Sequence, residues 1–116
     1  MRSYLRTLPI ALAAILPCAG ASAADLTPSA VLYAANQYNG QKVKVTGVIT
    51  KFMLKTTSDG KPYESFRLCD ANACLDVFAM GAETRTEGKE VTLTGHFWMF
   101  VQRGYLTSHN ELDLDP

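Results

Sequence analysis

An eight-residue pattern occurs twice in this chain, as Gly40-Gln-Lys-Val-Lys-Val-Thr-Gly47 and as Gly88-Lys-Glu-Val-Thr-Leu-Thr-Gly95. In both copies apolar and polar residues alternate between two glycines. Alternation of this kind predicts a strand with one buried face, and a glycine inside a strand predicts a bulge or a sharp bend. Two such strands therefore predict a small and strongly curved β-sheet.

The N-terminal segment has the pattern of a secretory signal peptide. Arg2 and Arg6 form a basic region, and the apolar stretch at 8–16 is too short to span a bilayer. Ala21-Ser-Ala23 then supplies the small residues of a cleavage site. Residues 1–23 are therefore expected to be removed on export.

Cleavage would leave residues 24–116 as one domain with a thin hydrophobic core. A lipoprotein signal that ends at Cys18 is the alternative, but Pro17 does not resemble the small residue expected directly before a lipidated cysteine. No second hydrophobic segment follows in the sequence, so no transmembrane segment is expected. The product is expected in the bacterial periplasm or outside the cell.

Export determines how the cysteines are interpreted. Cys69 and Cys74 are the only cysteines in residues 24–116, and an even pair in an oxidising compartment predicts a disulfide. Zinc is the alternative, but it favours a closer Cys-x2-Cys spacing and needs two more ligands, for which only His96 and His109 are available. No metal and no cofactor are expected.

A Cys69–Cys74 bridge would also fix the register of a β-hairpin. The bridge pairs Leu68 with Leu75, Arg67 with Asp76, Phe66 with Val77, and Ser65 with Phe78. One face of this hairpin is then apolar and consists of Phe66, Leu68, Leu75 and Val77. The other face lies beside the disulfide and carries Tyr63, Ser65, Arg67, Asp76 and Phe78.

The remaining elements follow from periodicity and turn residues. A short helix is predicted over 28–38, with Thr27 as its N-cap and Pro28 in its first turn. Turns are predicted at 58–62 and at Arg103-Gly104. Outside the hairpin, strands are predicted over 42–55, 89–101 and 105–114.

Four motifs in these strands resemble those of the oligonucleotide/oligosaccharide-binding (OB) fold. They are Val43-Lys-Val-Thr-Gly47-Val-Ile, Ser65-Phe-Arg-Leu-Cys-Asp70, Leu75-Asp-Val-Phe78 and the second glycine-bounded run. The chain is similar to anticodon-binding-like OB domains and their exported bacterial relatives. The resemblance implies an all-β, five-stranded Greek-key barrel with a short N-terminal helix. The short segment between strands three and four, the disulfide and the export signal depart from anticodon binders, and export removes the usual tRNA partner.

The resemblance implies a ligand-binding face across strands two and three, flanked by the loops that join strands one to two and four to five. Mapped onto this sequence, the candidate ligand-binding residues are Lys51, Lys55, Lys61, Tyr63, Arg67, Phe78, Arg103 and Tyr105. Aromatic rings among cations suit a single-stranded nucleic acid. Structural roles are the alternative: Arg67 would pair with Asp76, the rings would cover the barrel, and the lysines would be solvated.

Charge limits the strength of nucleic-acid binding. The chain has 11 basic and 11 acidic residues, and loss of Arg2 and Arg6 would make the exported domain mildly acidic. Dedicated nucleic-acid domains are usually clearly basic. The basic residues of the domain cluster before position 68, so a basic patch on one side is compatible with weak, salt-sensitive binding.

Two functional classes follow, and neither is an enzyme, because no nucleophile and base lie close together in the sequence. The first is an exported module that binds single-stranded nucleic acid, a glycan or a small anion. The second is a periplasmic protein-interaction or envelope-homeostasis protein that docks an exported partner. The second rests on Trp98, because a Phe97 inside the barrel would leave Trp98 to be covered by the N-terminal helix or by a partner.

Overall fold

A computed structural model of the chain describes residues 25–114. The expected signal peptide, including Cys18, lies outside these residues. The elements in order are α1 (Pro28–Tyr33), α2 (Ala35–Tyr38), β1 (Lys42–Thr56), β2 (Pro62–Cys69), β3 (Cys74–Met80), β4 (Glu90–Arg103) and β5 (Leu106–Leu114). Neither α1 nor α2, the helices of the described part, has the length and apolar character needed to cross a membrane.

The five strands form a closed barrel in the order β1-β2-β3-β5-β4, and β4 pairs with β1 to complete the ring. The β3–β5 pair is parallel and the other four pairs are antiparallel. The prediction of an all-β, five-stranded OB-like barrel is confirmed.

The β2–β3 hairpin has the register that the sequence predicts. Cys69 is opposite Cys74 and the two form a disulfide. Arg67 pairs with Asp76, and Ser65 pairs with Phe78. All four residues of the predicted apolar face are buried, so the bridge and the alternation specify the same hairpin.

The core lies inside the barrel and is built by alternation along each strand. Its strand residues are Val43, Val45, Ile49, Phe66, Leu68, Leu75, Val77, Phe97 and Leu112. Val31 of α1 is fully buried and joins them. Trp98, the next residue after the fully buried Phe97, keeps 37% of its surface exposed.

Gly47 and Gly95 lie where another strand comes too close for a side chain. An added Cβ at Gly95 would sit 2.5 Å from the backbone oxygen of Asp113, and one at Gly47 would sit 2.9 Å from Cγ of Leu68. The break in the register of β1 comes later, between Thr50 and Met53. The two glycines are therefore needed for close packing between strands.

The remaining differences from the predicted elements are small. The single helix predicted over 28–38 is broken at Ala34, where φ is −116° and ψ is 39°. The Thr27 hydroxyl accepts a hydrogen bond from the backbone N–H of Ala30 at 3.1 Å, as an N-cap does. At the other end of the chain, Tyr105 belongs to the turn that precedes β5.

Candidate functional site

The outer surface of β2 and β3 carries an open cavity of about 290 Å³, here called the central groove. Strands β2 and β3 supply its floor through Ser65, Phe66, Arg67, Asp76, Val77 and Phe78. Its sides are formed by Lys51 and Met53 of β1 and by Ser108 and Glu111 of β5. This is the face on which OB folds hold their ligands.

Lys51 reaches the central groove through an irregularity of β1. Its backbone is left-handed, with φ of 53°, inside the register break between Thr50 and Met53. The neighbouring N–H of Phe52 donates a hydrogen bond to the Glu87 carboxylate at 3.0 Å. A left-handed non-glycine residue is uncommon, and bulges of this kind redirect side chains. Within residues 25–114 the Lys51 ammonium forms no ion pair.

Arg67 and Asp76 form an ion pair across the floor of the groove. The Arg67 Nε lies 3.3 Å from Asp76 Oδ1, and both side chains are about half exposed. An exposed pair of this kind contributes at most about 1 kcal/mol to stability. Its main effect is to hold one guanidinium and one carboxylate side by side on the open surface.

Phe78 lies beneath Arg103. The guanidinium carbon is 3.8 Å from the centre of the Phe78 ring, and the Tyr63 ring centre lies 5.2 Å from the same ring. Arg103 also donates two hydrogen bonds to the Glu111 carboxylate, at 2.6 and 3.0 Å, and one to Asp113 at 3.2 Å. The Glu111 hydrogen bonds raise the pKa of Arg103. This cation is therefore already paired with protein carboxylates.

A second open cavity, of about 510 Å³, lies between the β2–β3 turn and β5 and is called the end cavity here. It shares Arg67 and Asp76 with the central groove, and its other walls are the turn residues 70–74 together with His109 and Asn110. Asn110 is left-handed, with φ of 54°. The two cavities thus adjoin along the outer face of β2 and β3.

Asp70 shapes the rim of the end cavity and joins it to α1. Its carboxylate accepts hydrogen bonds from the Ser29 hydroxyl at 2.7 Å and the Ser29 N–H at 2.9 Å. It also accepts from the N–H groups of Asn72 and Ala73, both at 2.8 Å. The Ser29 hydroxyl bond, together with these backbone donors, holds the pKa of Asp70 well below its ordinary range. Asp70 is therefore a structural anion of the turn.

The structure brings together five of the eight predicted site residues. Lys51, Arg67 and Phe78 line the central groove, while Tyr63 and Arg103 pack on Phe78. The other three line neither cavity and are exposed: Lys55 lies opposite Tyr63, Lys61 lies before β2, and Tyr105 lies in the β4–β5 turn.

Sequence reasoning missed several residues that line the two cavities. They are Met53, Asn72, Ser108, Asn110 and Glu111, and His109 was considered only as a metal ligand. An asparagine inside a predicted strand was a usable signal, because asparagine tolerates the left-handed region. Nothing in the alternation of β5 indicated that Glu111 would be buried.

The histidines contact aromatic rings. His96 stacks on Trp98 with ring centres 6.3 Å apart, and His109 meets the edge of Phe100 at 5.4 Å. Over residues 25–114 no cluster of three or more histidine, cysteine or acidic side chains has the arrangement of a metal site.

Comparison with known proteins identifies no family for this chain. A scan of the chain against protein-family models gave no match, and a search of curated proteins gave none either.

Proposed function

We propose that this chain is an exported OB-fold binding module that holds an anionic group of its ligand in the central groove. The proposal rests on the position and backbone conformation of Lys51. It is a cation on the groove wall without an ion pair in residues 25–114, and its backbone takes an unfavourable conformation there. Strained residues of this kind cluster at functional sites.

The other groove residues support a ligand with both polar and apolar parts. Ser65 and Ser108 offer hydroxyls, and Met53 and Phe78 offer apolar surface. Export is part of the proposal and is supported by the pattern of residues 1–23 and by a disulfide, which persists in oxidising compartments.

A single-stranded nucleic acid fits the central groove less well than a ligand with few charges. The cations that line the groove are Lys51 and Arg67, and Arg67 is already paired with Asp76, so the groove offers few charges to a chain of phosphates. The Phe78 ring that would stack a base is in contact with Arg103 and Tyr63. Nucleic acid therefore enters the experiment below as a comparison ligand.

Titration of the oxidised full-length chain with small organic anions and with an oligothymidylate tests the proposal. We expect Lys51→Gln to weaken binding of the anion about tenfold, because it removes a charge-assisted contact. Lys89→Gln is the matched control, since Lys89 is exposed, forms no ion pair in the described part and lines neither cavity. Equal affinity of the Lys51 and Lys89 variants would overturn the proposal.

Docking of an exported protein is the second candidate. Trp98 and Phe100 alternate on the outer face of β4, and they are 37% and 55% exposed. Large aromatic residues exposed next to each other are typical of protein interfaces. A partner that is captured by wild-type chain and by Lys51→Gln, but not by Trp98→Ala, would favour this candidate.

A further inference from the structure

The two cavities on β2 and β3 form one trough whose ends differ chemically. They share Arg67 and Asp76, so a ligand longer than the central groove continues directly into the end cavity. The groove end carries the Lys51 cation, which forms no ion pair within residues 25–114. In the end cavity, Arg67 and Asp76 form an ion pair with each other. Asp70 already accepts four hydrogen bonds from protein donors.

Amide and imidazole side chains supply the available hydrogen-bonding groups of the end cavity. The side chains of Asn72, His109 and Asn110 line it and make no hydrogen bond within the described part of the chain. An amide both donates and accepts, and a neutral imidazole does the same through its two nitrogens. Arg67 and Asp76, whose Nε and Oδ1 lie 3.3 Å apart, add a guanidinium donor and a carboxylate acceptor at the junction of the cavities.

Interleaved donors and acceptors match hydroxyl groups, because each hydroxyl donates one hydrogen bond and accepts others. Phosphate and carboxylate groups only accept, so they leave the acceptors of the end cavity without a donor. The end cavity therefore favours a polyhydroxylated segment, while the central groove favours an anionic one.

We propose that the ligand of this module is a short acidic oligosaccharide. An anionic group of one sugar lies at Lys51, and the hydroxyls of a neighbouring sugar lie against Asn72, His109 and Asn110. This inference rests on the proposed function and adds the ligand class. It also agrees with Lys51 as the groove cation that forms no ion pair in the described part of the chain, since an acidic sugar needs one compensating charge and not a row of them.

A xylotriose that carries one glucuronate, together with the methyl ester of the same tetrasaccharide, provides a matched pair of probes. The free acid carries a single carboxylate, whereas the methyl ester keeps the hydroxyls and removes the charge. An oligothymidylate of similar length serves as the nucleic-acid comparison. Isothermal titration calorimetry measures the dissociation constant of each probe. The oxidised full-length chain is used at low and at near-physiological salt. Wild-type chain is compared with four variants: Lys51→Gln, Lys89→Gln, Asn72→Ala and His109→Ala.

The two ends of the trough should respond separately. Lys51→Gln should weaken binding of the acid about tenfold and leave binding of the ester unchanged. Asn72→Ala and His109→Ala should each weaken binding of both sugars roughly threefold to tenfold, because each removes a hydrogen bond that does not depend on charge. Both positions are exposed, and thermal melting of the variants checks that they fold.

Failure of the ligand class and failure of the proposed function give different results. If Lys51→Gln weakens anion binding but Asn72→Ala and His109→Ala have no effect, the oligosaccharide inference is wrong and the groove proposal stands. If Lys51→Gln has no effect on the acid, the groove proposal is wrong. Tighter binding of the oligothymidylate than of the acid, or no binding of the acid at millimolar concentration, would overturn the oligosaccharide inference.

Discussion

The guanidinium of Arg103 lies 3.8 Å above the centre of the Phe78 ring, although the two residues belong to β4 and β3, strands that do not pair. The same guanidinium holds Glu111, which is only 4% exposed. Arg103 pairs with Leu106 at the end of the β4–β5 hairpin, so it must reach back along β5 to meet Glu111. This contact fixes the hairpin beside the central groove.

Arg103→Ala should destabilise the protein by about 2–3 kcal/mol, because it leaves the Glu111 carboxylate buried without its partner. The estimate lies below the cost for a fully buried pair because the Arg103 side chain is 33% exposed. Arg67→Ala is the matched control, since its pair with Asp76 is exposed, and it should cost less than about 1 kcal/mol. Urea unfolding measures both, and equal losses would contradict the distinction between the two pairs.

The contacts of Arg103 with Phe78 and Glu111 could not be predicted from the sequence, whereas other features of the barrel could. The register of the β2–β3 hairpin could be predicted because alternation and the Cys69–Cys74 pair constrain residues that are close in sequence. Alternation along β4 likewise predicted opposite environments for Phe97 and Trp98. Contacts between non-adjacent strands depend on how the barrel curves. Asparagine at position 110 was a usable signal for a left-handed residue, but a strand pattern contains no information on the approach of Arg103 to Glu111.

Gly95→Ala should destabilise the barrel more than Gly47→Ala. The new Cβ at Gly95 would meet backbone atoms of Asp113, which move only with β5. At Gly47 the closest atoms are Cγ of Leu68, at 2.9 Å, and the backbone oxygen of Cys69, at 3.0 Å, so the overlap is smaller than at Gly95. Overpacking costs roughly 1–3 kcal/mol, with Gly95 at the upper end. Thermal melting with Lys89→Ala as a near-neutral surface control checks the order, and wild-type stability of Gly95→Ala would contradict the close strand contact.

Oxidised chain should contain no free thiol at Cys69 or Cys74, which thiol labelling before and after reduction measures by mass. Replacing both cysteines by serine should cost about 2 kcal/mol, because a loop this short removes only a modest amount of entropy from the unfolded chain. Unfolding of wild-type chain under reducing conditions should show the same loss. Labelling of both cysteines in the native, unreduced chain would disprove the bridge.

Asp70→Asn should destabilise the protein at neutral pH by about 2 kcal/mol, since it weakens several hydrogen bonds to a charged acceptor. The folded pKa of Asp70 is depressed below the unfolded value of about 3.9. The stabilisation is therefore fully present above about pH 4 and is lost as the pH falls through the folded pKa. The gap in stability between wild-type chain and Asp70→Asn should narrow between pH 4 and pH 2. A gap that is constant over this range would show that the carboxylate charge is not involved.

Substitutions of Lys51 should separate stability from binding. Asparagine tolerates the left-handed backbone that Lys51 adopts, whereas a β-branched residue does not. We therefore expect Lys51→Asn to be at least as stable as wild-type chain, and Lys51→Val to be less stable by roughly 1–2 kcal/mol. Both variants lose the ammonium and should bind the acidic probe equally weakly. Urea unfolding and calorimetric titration of the same two proteins make the comparison, and equal stability of the asparagine and valine variants would contradict the left-handed conformation at the groove.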